Sequence, residues 1–157
     1  MKKIILVAAL VLGFAAAAAA QPRAVGLRGG WGTELSYQHT MGDSNFIEAD
    51  LGLFGFGSLN AVATYNWMLA QPNWTGKGEW GVYAGPGAAV GFGFTSENPG
   101  LNVAVVGQVG LEYTFWFPLQ LSVDLRPQIG FHLGENAGFY KDGLLGFAPC
   151  LSVRYRF

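Results

Sequence analysis

Apolar and polar residues alternate along most of this chain with a period of two. At the C-terminal end Leu151, Val153, Tyr155 and Phe157 are separated by Ser152, Arg154 and Arg156, a pattern that gives a strand one apolar and one polar face. The same alternation recurs upstream. Val25, Leu27, Trp31, Leu35 and Tyr37 stand against Gly26, Arg28, Gly30, Gly32, Glu34, Ser36 and Gln38, and Ile47, Ala49, Leu51 and Leu53 against Glu48, Asp50 and Gly52. Leu59, Ala61, Ala63, Tyr65 and Trp67 then alternate with Asn60, Val62, Thr64 and Asn66. Trp80, Val82, Ala84, Ala88, Val90, Phe92 and Phe94 alternate with a set dominated by glycine, and Val103, Val105, Val109, Leu111, Tyr113 and Phe115 with Asn102, Gln108, Glu112 and Thr114. Leu119, Leu121, Val123, Leu125 and Ile129 alternate with Gln120, Ser122, Asp124, Arg126 and Gln128. The last strand is expected over about 144–157.

The chain is therefore expected to be all-β. Turns fall at 41–45, at the glycine-rich stretch 54–58 and at 96–100, with long loops at 71–78 and 133–143, the latter ending in the hairpin signal Asp142-Gly143. The strand number depends on Gly29, Gly30 and Gly32. Glycine permits a tight reversal there, which splits the first segment into strands over about 25–30 and 33–39 and gives eight strands. Without it there are seven, and an eighth would have to be a weak strand between Leu133 and Lys141. A bacterial membrane barrel has an even number. With eight, Tyr37, Tyr65, Trp67, Tyr113, Phe115, Tyr155 and Phe157 all collect at one rim.

The faces decide what kind of barrel this is. The interior of an eight-stranded barrel is only just wide enough for side chains, and the large rings lie on the apolar face, so that face belongs outside. The other face then carries Arg28, Glu34, Glu48, Asp50, Glu112, Asp124, Arg126, Arg154 and Arg156, with Asn60, Asn66, Gln108, Gln120 and Gln128. Unpaired buried charge is very costly, so these residues are expected to pair and to plug the lumen. Pro86, Pro127 and Pro149 interrupt strands, and bulges are expected to accommodate them.

Composition agrees. Only 12 % of residues are charged and 24 are glycine, against ~25 % charged in ordinary soluble domains. Residues 1–20 read as a secretory signal peptide, with Lys2 and Lys3, an apolar run and an alanine tract, leaving residues 21–157 as one domain. Removing Lys2 and Lys3 leaves seven basic against ten acidic residues, a net charge of −3, which excludes a nucleic-acid partner. Cys150 is the only cysteine, so no intrachain disulfide is expected. Asn73-Trp74-Thr75 is a chance glycosylation match.

These residues resemble the small outer-membrane β-barrel families of Gram-negative bacteria, similar in size to the OmpA transmembrane domain and OmpX. Such proteins carry a C-terminal signal of the form polar-x-Gly-x-x-aromatic-x-aromatic. Tyr155 and Phe157 match its aromatics, while Ser152 stands at the glycine position and Cys150 at the polar one; Leu151 and Val153 complete the apolar face of the same strand. Gln108-x-Gly110-x-x-Tyr113-x-Phe115 fits the whole pattern internally. The resemblance implies residence in the outer membrane as a monomer, contact with lipid and lipopolysaccharide, and insertion by the barrel-assembly machinery.

Some small barrels of this type deacylate or acylate lipopolysaccharide with Ser and His. Here the histidines are His39 and His132. Ser122 and His132 share a face ten residues apart, ~33 Å at ~3.3 Å per residue, too far to act together. Two separated histidines and one cysteine show no metal-ligand spacing, no cofactor motif is present, and an eight-stranded barrel is too narrow for a porin channel. The expected function is a structural or loop-mediated interaction barrel without catalytic activity. The alternatives are a lipopolysaccharide-modifying enzyme and a soluble periplasmic ligand-binding barrel.

Overall fold

The computed structural model describes residues 22–30, 32–42, 44–54, 58–93, 100–133, 137–141 and 149–157. The expected signal peptide, Trp31, Phe94, most of the 96–100 turn and Asp142-Gly143 lie outside these residues. The strands are β1 (Pro22–Gly29), β2 (Thr33–Met41), β3 (Asn45–Phe54), β4 (Ser58–Ala70), β5 (Glu79–Gly93), β6 (Gly100–Thr114), β7 (Leu119–Leu125), β8 (Gln128–Leu133), β9 (Gly138–Lys141) and β10 (Cys150–Arg156). All pairings are antiparallel. β1 to β6 pair in chain order, β6 pairs with both β7 and β8, β8 with β9, and β7 with β10, which closes on β1. β7 with β8, and β9 with β10, act as the seventh and eighth staves of a closed eight-strand antiparallel barrel.

The glycine reversal is therefore real: Gly29 pairs with Thr33 across it. The segment 133–143 is not all loop as expected, because β9 runs back along β8 with Phe139 opposite Phe131. Of the expected last strand, Cys150–Arg156 forms the ladder, and residues 144–148 lie outside those described.

The expectation of proline bulges is wrong at the two prolines whose ladders can be followed. Val109 pairs with Leu125 and Val106 with Gln128, so the register against β6 is the same on both sides of Pro127. Gly107 N–H donates to Pro127 O at 2.9 Å in the gap. A proline that keeps its carbonyl in the ladder loses only its own N–H bond, and no extra residue is needed. At Pro86 the β4 partner is likewise missing while Thr64–Gly87 and Trp67–Ala84 keep one register. The register shifts fall elsewhere, between Met68 and Ala70 and between Pro22 and Ala24. Pro149 lies just before β10.

The stagger of the barrel follows from the ladders. Starting at Val123, the paired residues are Leu151, Gly29, Thr33, Leu53, Leu59, Phe92, Leu101 and finally Leu133, ten residues further along the seventh stave. For eight strands that stagger corresponds to a tilt of about 40° and a backbone radius of roughly 8 Å. Both described chain ends, the strand ends Met41 and Asn45, and the connections 71–78 and 115–118 lie at one end, here the terminal end. The strand ends Gly29, Thr33, Phe54, Ser58, Gly93, Gly100, Leu133 and Gly138 lie at the other, the hairpin end.

The period of two resolves as expected. On β10 burial alternates strictly, with Cys150, Ser152 and Arg154 buried and Leu151, Val153 and Tyr155 exposed. Leu27, Leu35, Leu51, Val105 (70 % exposed), Val123, Ile129 and Phe131 are among the outward residues. Buried apolar residues are few: Val62, Ala89, Ala104 and Val106 form one small cluster inside the wall. This is the reverse of a soluble domain, where apolar side chains fill the interior.

Candidate functional site: the lumen and its terminal rim

Alternation sends one set of polar residues from every stave into the lumen, where they are buried, so each charge must find its partner across the cylinder. Arg28 on β1 binds Asp124 on β7 in bidentate fashion (2.5 and 3.2 Å) and Glu34 on β2 at 2.6 Å. Arg126, in the break between β7 and β8, reaches over to Glu34 (2.5 Å) and to Asp50 on β3 (2.5 Å). The result is one continuous chain, Asp124, Arg28, Glu34, Arg126, Asp50. Interlocked forks of this kind combine charge with fixed geometry.

A second group lies nearer the terminal end. Arg154 reaches Glu48 at 3.0 Å and donates to the hydroxyls of Ser36 (2.9 Å) and Ser122 (2.7 Å). Glu48 also accepts from Gln38 (2.7 Å) and Gln108 (2.9 Å), and Gln108 in turn accepts from Thr64 (2.6 Å) and Asn66 (3.1 Å). Arg154 and Glu48 are both fully buried, so a network with most lone pairs occupied is what makes the charge tolerable there.

A third group closes the terminal end. Arg23 pairs with Glu112, which also accepts from Gln120 at 2.9 Å, and the Arg23 guanidinium lies 4.2 Å over the Phe46 ring. Phe46 meets Tyr83 edge-on at 5.1 Å between centroids. A Cβ on Gly110 would stand 2.3 Å from Tyr83 Cζ, so that glycine makes room for the ring. This is a packing reason for a residue that the sequence pattern alone linked to an assembly signal.

Of the nine charged residues expected on the inward face, eight, Arg28, Glu34, Glu48, Asp50, Glu112, Asp124, Arg126 and Arg154, are thus brought together in the lumen. Arg156 instead sits on the rim, 3.3 Å from Glu79. Arg23 and Phe46 are interior residues that sequence reasoning missed. Phe46 is in phase with Glu48 and was legible. Arg23 was not, because the register shift between Pro22 and Ala24 buries both Arg23 and Ala24, which strict alternation forbids.

The aromatic residues expected at the rim fall into separate groups. Tyr65 and Trp67 are in edge contact at 5.4 Å, and Tyr155 and Phe157 at 5.2 Å. Tyr113 and Phe115 belong to a longer array in which Trp74, Trp80, Tyr113, Phe115, Trp116 and Phe117 are linked ring to ring at 4.6–6.0 Å. The Trp80 indole donates to Thr75 and the Tyr113 hydroxyl to the Lys77 carbonyl, which fastens loop 71–78 onto this array. The Tyr37 hydroxyl lies 3.1 Å from His39 Nδ1. Leu151, Val153, Tyr155 and Phe157 all face outward on the last strand.

His39 lies near the terminal end, whereas His132, on β8, pairs through Nδ1 with Asn102 Oδ1 at 2.5 Å near the hairpin end. The Ser122 hydroxyl is held by Arg154 instead. Among the described residues no group of His, Cys, Asp or Glu is arranged to hold a metal ion. Compared with known proteins, the chain matches no family model, no curated sequence and no solved structure.

Proposed function

We propose that this chain is a small integral outer-membrane barrel with a plugged polar lumen, serving as a structural or loop-mediated interaction protein without catalytic activity. The observation that carries this reading is the inverted partition of side chains: leucine, valine and aromatic residues cover the outer wall while the ion pairs fill the inside. Such a wall is matched by hydrocarbon, and closure leaves no open sheet edge to be satisfied there. Strands of 9–11 residues suffice to span a bilayer at this tilt, and β2 to β6 have 9, 10, 13, 15 and 15.

With an even strand number both chain ends lie in the periplasm. On this reading loop 71–78 faces the periplasm, and the end of β8 at Leu133 and the start of β9 at Gly138 face outward, toward lipopolysaccharide. The C-terminal strand with Tyr155 and Phe157 is then what the barrel-assembly machinery engages, and the barrel works as a monomer.

The test is gel mobility of protein taken from purified outer membranes, with and without boiling in SDS. A heat-dependent shift is expected. Recovery from the soluble periplasm with no shift would replace this reading with a soluble barrel. His39→Ala and His132→Ala are expected to leave lipid A acylation unchanged, and a changed acylation pattern would favour the enzyme.

A further inference from the structure

The terminal mouth of the lumen holds a cavity of about 90 Å³ whose lining includes Arg23, Arg156, Glu79, Glu112, Thr114 and Trp80. The lumen network does not absorb it. Its charge is balanced, two guanidiniums against two carboxylates, but its hydrogen-bonding capacity is not. A guanidinium carries five N–H donors. Among the described residues the side-chain bonds of Arg23 go to Glu112 and Gln38, and that of Arg156 to Glu79, so most of their donors are left to offer a guest. Thr114 is 6 % exposed and lines the cavity, so a further donor-bearing side chain borders the space. The outer lip is the Arg156–Glu79 pair, with side chains 36 % and 73 % exposed. An exposed pair of this kind holds itself together weakly, so it can open and offer its two ends to separate groups.

We infer that this mouth is a binding site for a small zwitterion carrying an oxyanion and a primary ammonium group. The oxyanion lies on Arg23, Arg156 and Thr114, and the ammonium group on Glu79. A simple anion would meet the two carboxylates unrelieved, and a simple cation the two guanidiniums; only a ligand with both charges satisfies the lining. An amino-phosphate meets this description whether it arrives as a free molecule or as the headgroup of a phospholipid at the rim marked by Trp80.

The site belongs to the barrel in any medium, so its test is separate from that of membrane residence. Isotope-labelled protein, folded in alkyl maltoside micelles, is titrated with O-phosphoethanolamine and, in a parallel series, with methyl phosphate. Saturable amide shifts at Thr114 and Gly81 are expected, with phosphoethanolamine binding more tightly than methyl phosphate. Thr114→Val, which keeps the side-chain shape, is expected to weaken binding about tenfold, and Glu79→Gln to abolish the preference for phosphoethanolamine over methyl phosphate. Nanodiscs of phosphatidylethanolamine against phosphatidylcholine distinguish the sources: shifts at Thr114 seen only with the primary-amine lipid identify a headgroup, and shifts with the free compound alone identify a soluble ligand. Absence of saturable shifts with either probe, or binding unchanged in Thr114→Val, overturns the inference.

Discussion

Arg154 and Arg156 stand two residues apart on one strand, and each faces a glutamate. Arg154 meets Glu48 with both side chains fully buried, whereas Arg156 meets Glu79 at the rim in water. The chemistry is the same and the consequence is not. Around Arg154 the ion pair is held by two serines and two glutamines, because charge taken out of water must be compensated by an opposite charge and by hydrogen bonds. Around Arg156 solvent does that work, and the pair is free to come apart. Burial, more than charge, decides which arginine is part of the fold.

The comparison can be broken most severely at Glu48. Glu48→Ala leaves Arg154 buried and unpaired, and a loss of about 3–5 kcal/mol is expected, read as a lower midpoint in urea unfolding followed by gel mobility. The double variant Glu48→Met with Arg154→Met removes both charges and should recover most of that loss. A double variant no better than the single one would show that the pair itself holds the staves together.

Val105→Arg probes the opposite face of the wall. If that face meets lipid, a charge at this outward position costs about 2–4 kcal/mol near the bilayer midplane, measured by unfolding from liposomes. In a water-facing wall the same substitution would be nearly silent. Gly110→Val drives a rigid side chain into Tyr83 and is expected to cost about 1–3 kcal/mol, with the ring displaced toward Phe46. Glu79→Gln completes the series: its effect on stability should stay within ~0.5 kcal/mol.

Period-two alternation made the faces of nearly every stave legible, since the wall's two sides are so different chemically. It also named the lumen charges, because no other surface could hold them. What it could not supply was register, and register decides who pairs with whom: that Arg126 reaches Glu34 and Asp50 depends on how β7 is staggered against β2 and β3. Arg23 was hidden by a local shift that reverses the phase of one residue. Pro127 was legible as an interruption, but its kind was not. A bulge and an in-register gap have the same local sequence, and only the unchanged pairing of Leu125 and Gln128 with β6 separates them.

The ten-residue stagger has a bearing on how such a barrel could close wrongly. Faces must match, so the seam between β1 and β10 can slip only by two residues at a time, to a stagger of eight or twelve. Strand number and stagger together fix the girth, and each slip would change the radius by roughly 0.7 Å. The smaller girth would crowd Tyr83, Phe46 and Arg154, which are fully buried; the larger would stretch the Arg126–Asp50 contact. The side chains within thus serve as a gauge for the seam between β1 and β10, favouring one circumference over its neighbours on either side.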